Sequence, residues 1–143
     1  MSLLPRAQET LFFQNVAGKV FYRPAGFVRL VWAPERAALE AIQAFYEQVM
    51  VLMLSTATRK ILSEHGQRAP LSGAAQEWLT GRWIPRAISQ ARVQYCAIVE
   101  GADPTHRLST QSVVSASPAG LVFRRFSTME EAEKWLNGTE LSR

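Results

Sequence analysis

The chain has little of what metal and nucleophile chemistry requires. Cys96 is its single cysteine, which excludes an internal disulfide and a cysteine-based metal cluster. It lies in the apolar run VQYCAIVE and reads as a buried thiol, since free Cys behaves as a small hydrophobe. Asp103 is the only aspartate; every other acid is glutamate. Sites built on Asp, such as two-metal phosphoryl transfer or a Ser-His-Asp triad, are poorly supplied. The only histidines, His65 and His106, stand far apart in sequence. The phosphate-binding patterns GxxxxGK[ST] and GxGxxG and the nucleophile pattern GxSxG are all missing. No catalytic residue, metal or cofactor is therefore expected. No apolar run approaches the ~20 residues of a spanning helix. The opening MSLLPRAQET lacks a basic region followed by a long apolar one, so a secretory leader is not expected. The expectation is a soluble, cytoplasmic protein.

What is present suits one globular domain over residues 1–143. Hydrophobic residues make up 48% and charged ones 20% of the 143-residue chain, enough to bury a core without a metal or disulfide. TLFFQN (10–15), KVFYR (19–23) and GFVRLVWA (26–33) are short runs bounded by turn residues and predict an antiparallel meander. In the third run Val28, Leu30 and Trp32 form a wholly apolar face. Leu39, Ile42, Phe45, Tyr46, Val49, Leu52 and Met53 recur at helical intervals, predicting one long helix over 35–57 with Pro34-Glu35 at its start. RKILSE (59–64) reads as a strand. Ser72 is an N-cap for a segment that Gly81 and Pro85 should break into two short helical pieces. A central strand over 91–100, a helix near 105–116, a strand over 121–126 and a last helix follow. That last helix opens on a Ser127/Glu130 capping box and ends near Gly138. The order βββ-α-β-α-β-α-β-α predicts an α/β fold with a mixed sheet. The meander comes first, then alternating βα units with about four helices.

Read together, EWLTGRWIPRAI (77–88), QYCAIVE (94–100), HRLSTQSVV (106–114) and RRFSTMEEAEKWL (124–136) resemble a small bacterial STAS-like family. STAS domains occur in sulphate transporters and in antagonists of anti-sigma factors. The resemblance rests on Trp78, Trp83, Pro85 and Arg86, and on Phe126, Ala132, Trp135 and Leu136 of the closing helix. It implies a single-domain regulatory or binding module. In phosphorylated STAS antagonists a serine, usually beside an aspartate, starts the helix after a central strand. Ser72 is the matching candidate for regulatory phosphorylation. The chain has no Asp-Ser pair, and the loop before Ser72 is longer than that pattern expects.

The remaining candidates are few. Arg68, Trp78, Trp83 and Arg86 form a Trp/Arg-rich set suited to a protein partner or a small apolar or anionic ligand, by cation–π stacking or anion binding. Core packing is the competing reading of the indoles. In SEH (63–65), neighbours on a strand point to opposite faces and cannot form a triad. An unfamiliar enzyme site around Glu64, His65 and Arg68 remains as an alternative. A lipid or small-molecule carrier, in the manner of the similarly folded CRAL-TRIO proteins, is another. It would use Phe45, Tyr46, Met50 and Met53 of the long helix to line a cavity. Either an edge strand or that helix could support a homodimer. Nucleic-acid binding is disfavoured, because no basic helix or Arg/aromatic repeat is present. The net charge of +4 is local: Arg59, Lys60, Arg68, Arg82, Arg86 and Arg92 face only Glu64 and Glu77 within residues 59–92. An anionic partner or ligand is expected to meet that segment.

Overall fold

The computed structural model describes residues 9–24, 26–66, 68–101 and 103–141. The N-terminal reading over residues 1–8, and the turn residues Ala25 and Ala102, lie outside that set. One six-stranded sheet runs in the order β1-β2-β3-β4-β5-β6. The strands are β1 (Thr10–Asn15), β2 (Gly18–Tyr22), β3 (Val28–Trp32), β4 (Lys60–Glu64), β5 (Tyr95–Val99) and β6 (Val122–Phe126). The first three pair antiparallel and β3 to β6 pair parallel. The expected α/β fold with its meander and mixed sheet is the fold observed.

Alternation within the strands decides what each face meets. Val28, Leu30 and Trp32 of β3, Ile61 of β4, and Cys96 and Ile98 of β5 point to one face, where they form the main core. Three helical segments cover it: α1 (Leu39–Thr56), the run 73–91, and α4 (Pro104–Ala116). Leu62 and Ala97 point the other way and pack with Phe27 under Ala132 and Leu136 of α5 (Met129–Gly138). Beside α5 that second face is polar, with Arg23 and Arg29 paired to Glu9, Glu64 and Glu133.

The central strand starts at Tyr95 and not at 91, because Ala91 closes a π turn and Arg92 takes a left-handed φ of 58°; three further details depart from the sequence expectation. First, α1 begins at Leu39, with Ala38 extended and no side-chain cap; residues 35–37 instead border a hollow beside Arg68. Second, Gly81 and Pro85 do not break the run 73–91. It passes from α2 (Gly73–Trp78) through a π turn (Leu79–Trp83), α3 (Ile84–Arg86) and a second π turn (Ala87–Ala91). Proline lacks the N–H of a normal helical bond, and widening the turn keeps the chain helical around it. Third, the last cap is one residue later. Thr128, not Ser127, accepts from the Glu131 amide at 3.3 Å, and its hydroxyl donates to the Glu131 carboxylate at 3.0 Å. Gly138 is the final helical residue, with Thr139 as the cap beyond it.

Candidate functional site

The polar groups that converge in this molecule do so where β4 and β5 end. Strand alternation sends Ser63 and His65 to the helix-covered face and Glu64 to the opposite one, where it pairs with Arg29. Gly66 takes a left-handed φ of 53°, and the Arg68 amide bonds back to the His65 carbonyl at 2.8 Å. That tight return drops the Arg68 side chain into the core. Gly101, after β5, lies so close that a Cβ there would fall 2.5 Å from the Gly66 carbonyl oxygen. Asp103 caps α4 by accepting from the Thr105 amide at 2.8 Å, with Pro104 in the first turn. His106, in that same turn, thereby reaches inward to His65.

Hydrogen bonding orders this group in one direction. The Trp32 indole N–H can only donate, and it donates to Ser63 Oγ at 2.9 Å. The Ser63 hydroxyl is then free to donate to His65 Nε2 at 3.1 Å. That leaves the His65 proton on Nδ1, which donates to His106 Nε2 at 2.7 Å. Thr110 Oγ1 lies 3.3–3.4 Å from the same two nitrogens. Burial, and then the charge of Arg68, hold His65 well below the usual histidine pKa. His106 is lowered for the same two reasons, with Glu100 and Asp103 pulling the other way. Both rings are neutral near pH 7.

Arg68 is the unusual member. It is 5% exposed and its Cζ lies over Trp32, 3.5 Å from the ring centroid, a desolvated cation–π contact. The Tyr46 phenol interacts with it from the side. Among the described residues no carboxylate pairs with it, and its Nη2 has no hydrogen-bond partner. Burial draws its pKa downward, yet a guanidinium stays charged at neutral pH.

This polar end closes an otherwise apolar cavity between the sheet and the helices. Leu30, Ile61, Cys96, Ile98, Trp83 and Phe123 are among the residues of its apolar wall, with Ser63, His65, Arg68 and Thr110 at the polar end. Its void is about 560 Å³ including the open mouth. Arg68 also borders a second hollow of about 380 Å³, with Trp32, Glu35 and Ser72.

The anticipated residues separate into two groups. Arg68 and Trp83 come together in the cavity; both are buried, Trp83 to 2% exposure, with its indole donating to the Tyr46 carbonyl at 2.8 Å. Trp78 is half-buried and packs on the Tyr46 ring at 6.0 Å. Trp83 meets the same ring at 4.7 Å. A spacing of five residues would divide the two indoles on an ordinary helix, but the π turn between them closes at i to i+5. Arg86 is half-exposed and grips Glu47 with both nitrogens at 2.7 and 3.0 Å, tying α3 to α1. Ser72 is exposed and engaged as a cap, accepting from the Ala75 amide at 3.1 Å. Glu64 lies across the sheet from His65 and Arg68, so those three do not form one constellation. Of Phe45, Tyr46, Met50 and Met53, all buried, only Tyr46 lines the cavity. Sequence reasoning sets SEH aside because strand neighbours alternate, which separates Glu64 but puts Ser63 and His65 on one face; it does not reach Thr110 or the His65–His106 contact. The i, i+2 pairing of Ser63 and His65 on one strand face was the available signal. No protein-family model matches this chain, and no curated protein does so either.

Proposed function

We propose that this protein is a non-enzymatic, STAS-like binding module that holds a small apolar molecule in the cavity under α1, the run 73–91 and α4. One observation carries the reading: a largely apolar void, open at its mouth, with a few polar groups gathered at one end. That is the usual form of a small-molecule site. A reading through protein contact draws less support, because Arg68 and Trp83 are buried and only Trp78 and Arg86 keep any outer surface. The carrier reading places its cavity along Phe45, Tyr46, Met50 and Met53, of which only Tyr46 borders this one; carried over to this cavity, it differs in whether the ligand is passed on. An enzymatic reading would have to use Ser63 and His65, a hydroxyl donating to a neutral imidazole at 3.1 Å; it draws less support because both groups are buried and Glu64 faces away, paired with Arg29.

The test is a titration with 1-hexanol, a neutral amphiphile, followed by tryptophan emission, because Trp83 lines the wall. The wild-type protein should give a saturable change. Cys96→Leu, which places extra carbon in the cavity, should weaken it at least fivefold while the circular dichroism stays the same. No saturable response in the wild-type protein would refute the cavity reading. Native mass spectrometry of freshly purified protein adds a second check, with co-purified ligand supporting it.

A further inference from the structure

Resting on that cavity reading, we infer that the ligand carries a single carboxylate and that Arg68 is its anchor. The site already holds everything except the anion. Arg68 is a buried cation with no ion-pair partner among the described residues. Its Nη2 is buried and unbonded, and the side chain borders the polar end of an apolar void. An unpaired buried charge is costly, and so is a buried donor left without an acceptor. One carboxylate satisfies both, because its two oxygens match the fork of a guanidinium.

The surroundings define the head group further. Trp32 covers one side of the guanidinium, with its ring centroid 3.5 Å from Cζ, so an acceptor must approach from elsewhere. Ser63, His65 and Thr110 border the same end. Ser63 and His65 are committed to one another and to His106 Nε2 at 3.1 and 2.7 Å, leaving the Thr110 hydroxyl as the additional donor on the cavity wall. With both histidines neutral, Arg68 is the one charged residue on the cavity wall among the described residues. It balances a monoanion; a phosphate dianion would leave a net negative charge in an apolar chamber. Glu35 borders the second hollow on the far side of Arg68 but forms no ion pair with it. The apolar wall of Ile61, Cys96, Ile98 and Phe123 then takes a hydrocarbon body. The ligand class is a small apolar monocarboxylic acid.

The experiment compares hexanoate, 1-hexanol and hexyl phosphate by isothermal titration on the intact protein at pH 7. Hexanoate should bind the wild-type protein at least tenfold tighter than hexanol and tighter than hexyl phosphate. Arg68→Met keeps the apolar stem and removes the charge. It should lose hexanoate at least tenfold and keep hexanol. Equal affinity for hexanoate and hexanol would overturn the carboxylate assignment and leave the cavity reading standing. Preference for hexyl phosphate would overturn the monoanion assignment. Binding of none of the three would overturn this inference and the cavity reading together. Should Arg68→Met not fold, the hexanoate-to-hexanol ratio of the wild-type protein decides alone.

Discussion

Arg68 concentrates the tension in this molecule. A cation at 5% exposure with no carboxylate beside it among the described residues costs several kcal/mol, on the order of what an incompletely compensated ion loses on leaving water. The Trp32 contact returns about 2 kcal/mol of that. The ligand-free protein should therefore gain stability when Arg68 is replaced by Met, by about 1–3 kcal/mol in urea denaturation. A loss of stability would mean that Arg68 is there to hold the core and not a ligand. Cys96 allows a second residue-scale test. Burial pushes its thiol pKa up to about 12, so almost no thiolate exists at pH 8. An aromatic disulfide reagent should modify the folded protein at least a hundredfold more slowly than the urea-unfolded chain. Fast labelling of folded protein would contradict the burial of Cys96.

At the scale of elements, the run 73–91 and the β4 and β5 loops shape the cavity. The π turn Leu79–Trp83 aims Trp83 at Tyr46, within an aromatic cluster in which Trp32 lies 4.3 Å from Phe45 and 5.3 Å from Tyr46. Trp83→Ala should cost about 3–5 kcal/mol in denaturant unfolding, as deletion of a buried indole does; a change below about 1 kcal/mol would show that the run is not docked there. Gly101→Ala would set a methyl 2.5 Å from the Gly66 carbonyl, forcing the two loops apart. It should both destabilise the fold and weaken hexanol binding, since His65 and His106 stand on either side of that contact. Strand alternation made the sheet legible in advance: Val28, Leu30 and Trp32 occupy the helix-covered face because β3 has a period of two. The long helix was legible from its apolar spacing, apart from its first turn. The π turns were not, because Gly81 and Pro85 signal a break in any reading based on local propensity. Packing against α1, α4 and the sheet keeps the helix going. The site was half legible. Arg68 and Trp83 stood out by residue type, whereas the His65–His106 contact joins residues 41 apart and depends on how far the β5–α4 loop turns back.

For the whole molecule, the buried histidines set a pH limit. An unfolded histidine titrates near pH 6.5, whereas burial and Arg68 depress both folded values. Below about pH 6.5 the unfolded chain takes up protons that the folded one refuses, so stability is present above that pH and lost as it falls. Each ring contributes a slope of up to about 1.4 kcal/mol per pH unit, continuing down to its folded pKa. Urea midpoints should fall between pH 6.5 and 5, before the bulk of the glutamates titrate. His65→Asn should flatten that fall, and an unchanged pH profile would place the loss elsewhere. Ligand binding acts in the opposite sense. It should raise the melting temperature with concentration, since whatever binds only the folded state stabilises it. The central claim, that a small acid lies with its tail among Ile61, Ile98 and Phe123 and its head on Arg68, is tested most directly by an isotope-filtered nuclear Overhauser measurement on hexanoate bound to labelled protein. The account predicts contacts from the hexanoate methyl to the Ile98 and Phe123 side chains and a shift of the Arg68 guanidinium resonance. Contacts confined to the exposed α1 residues Val51 and Leu54, with Arg68 unshifted, would contradict it.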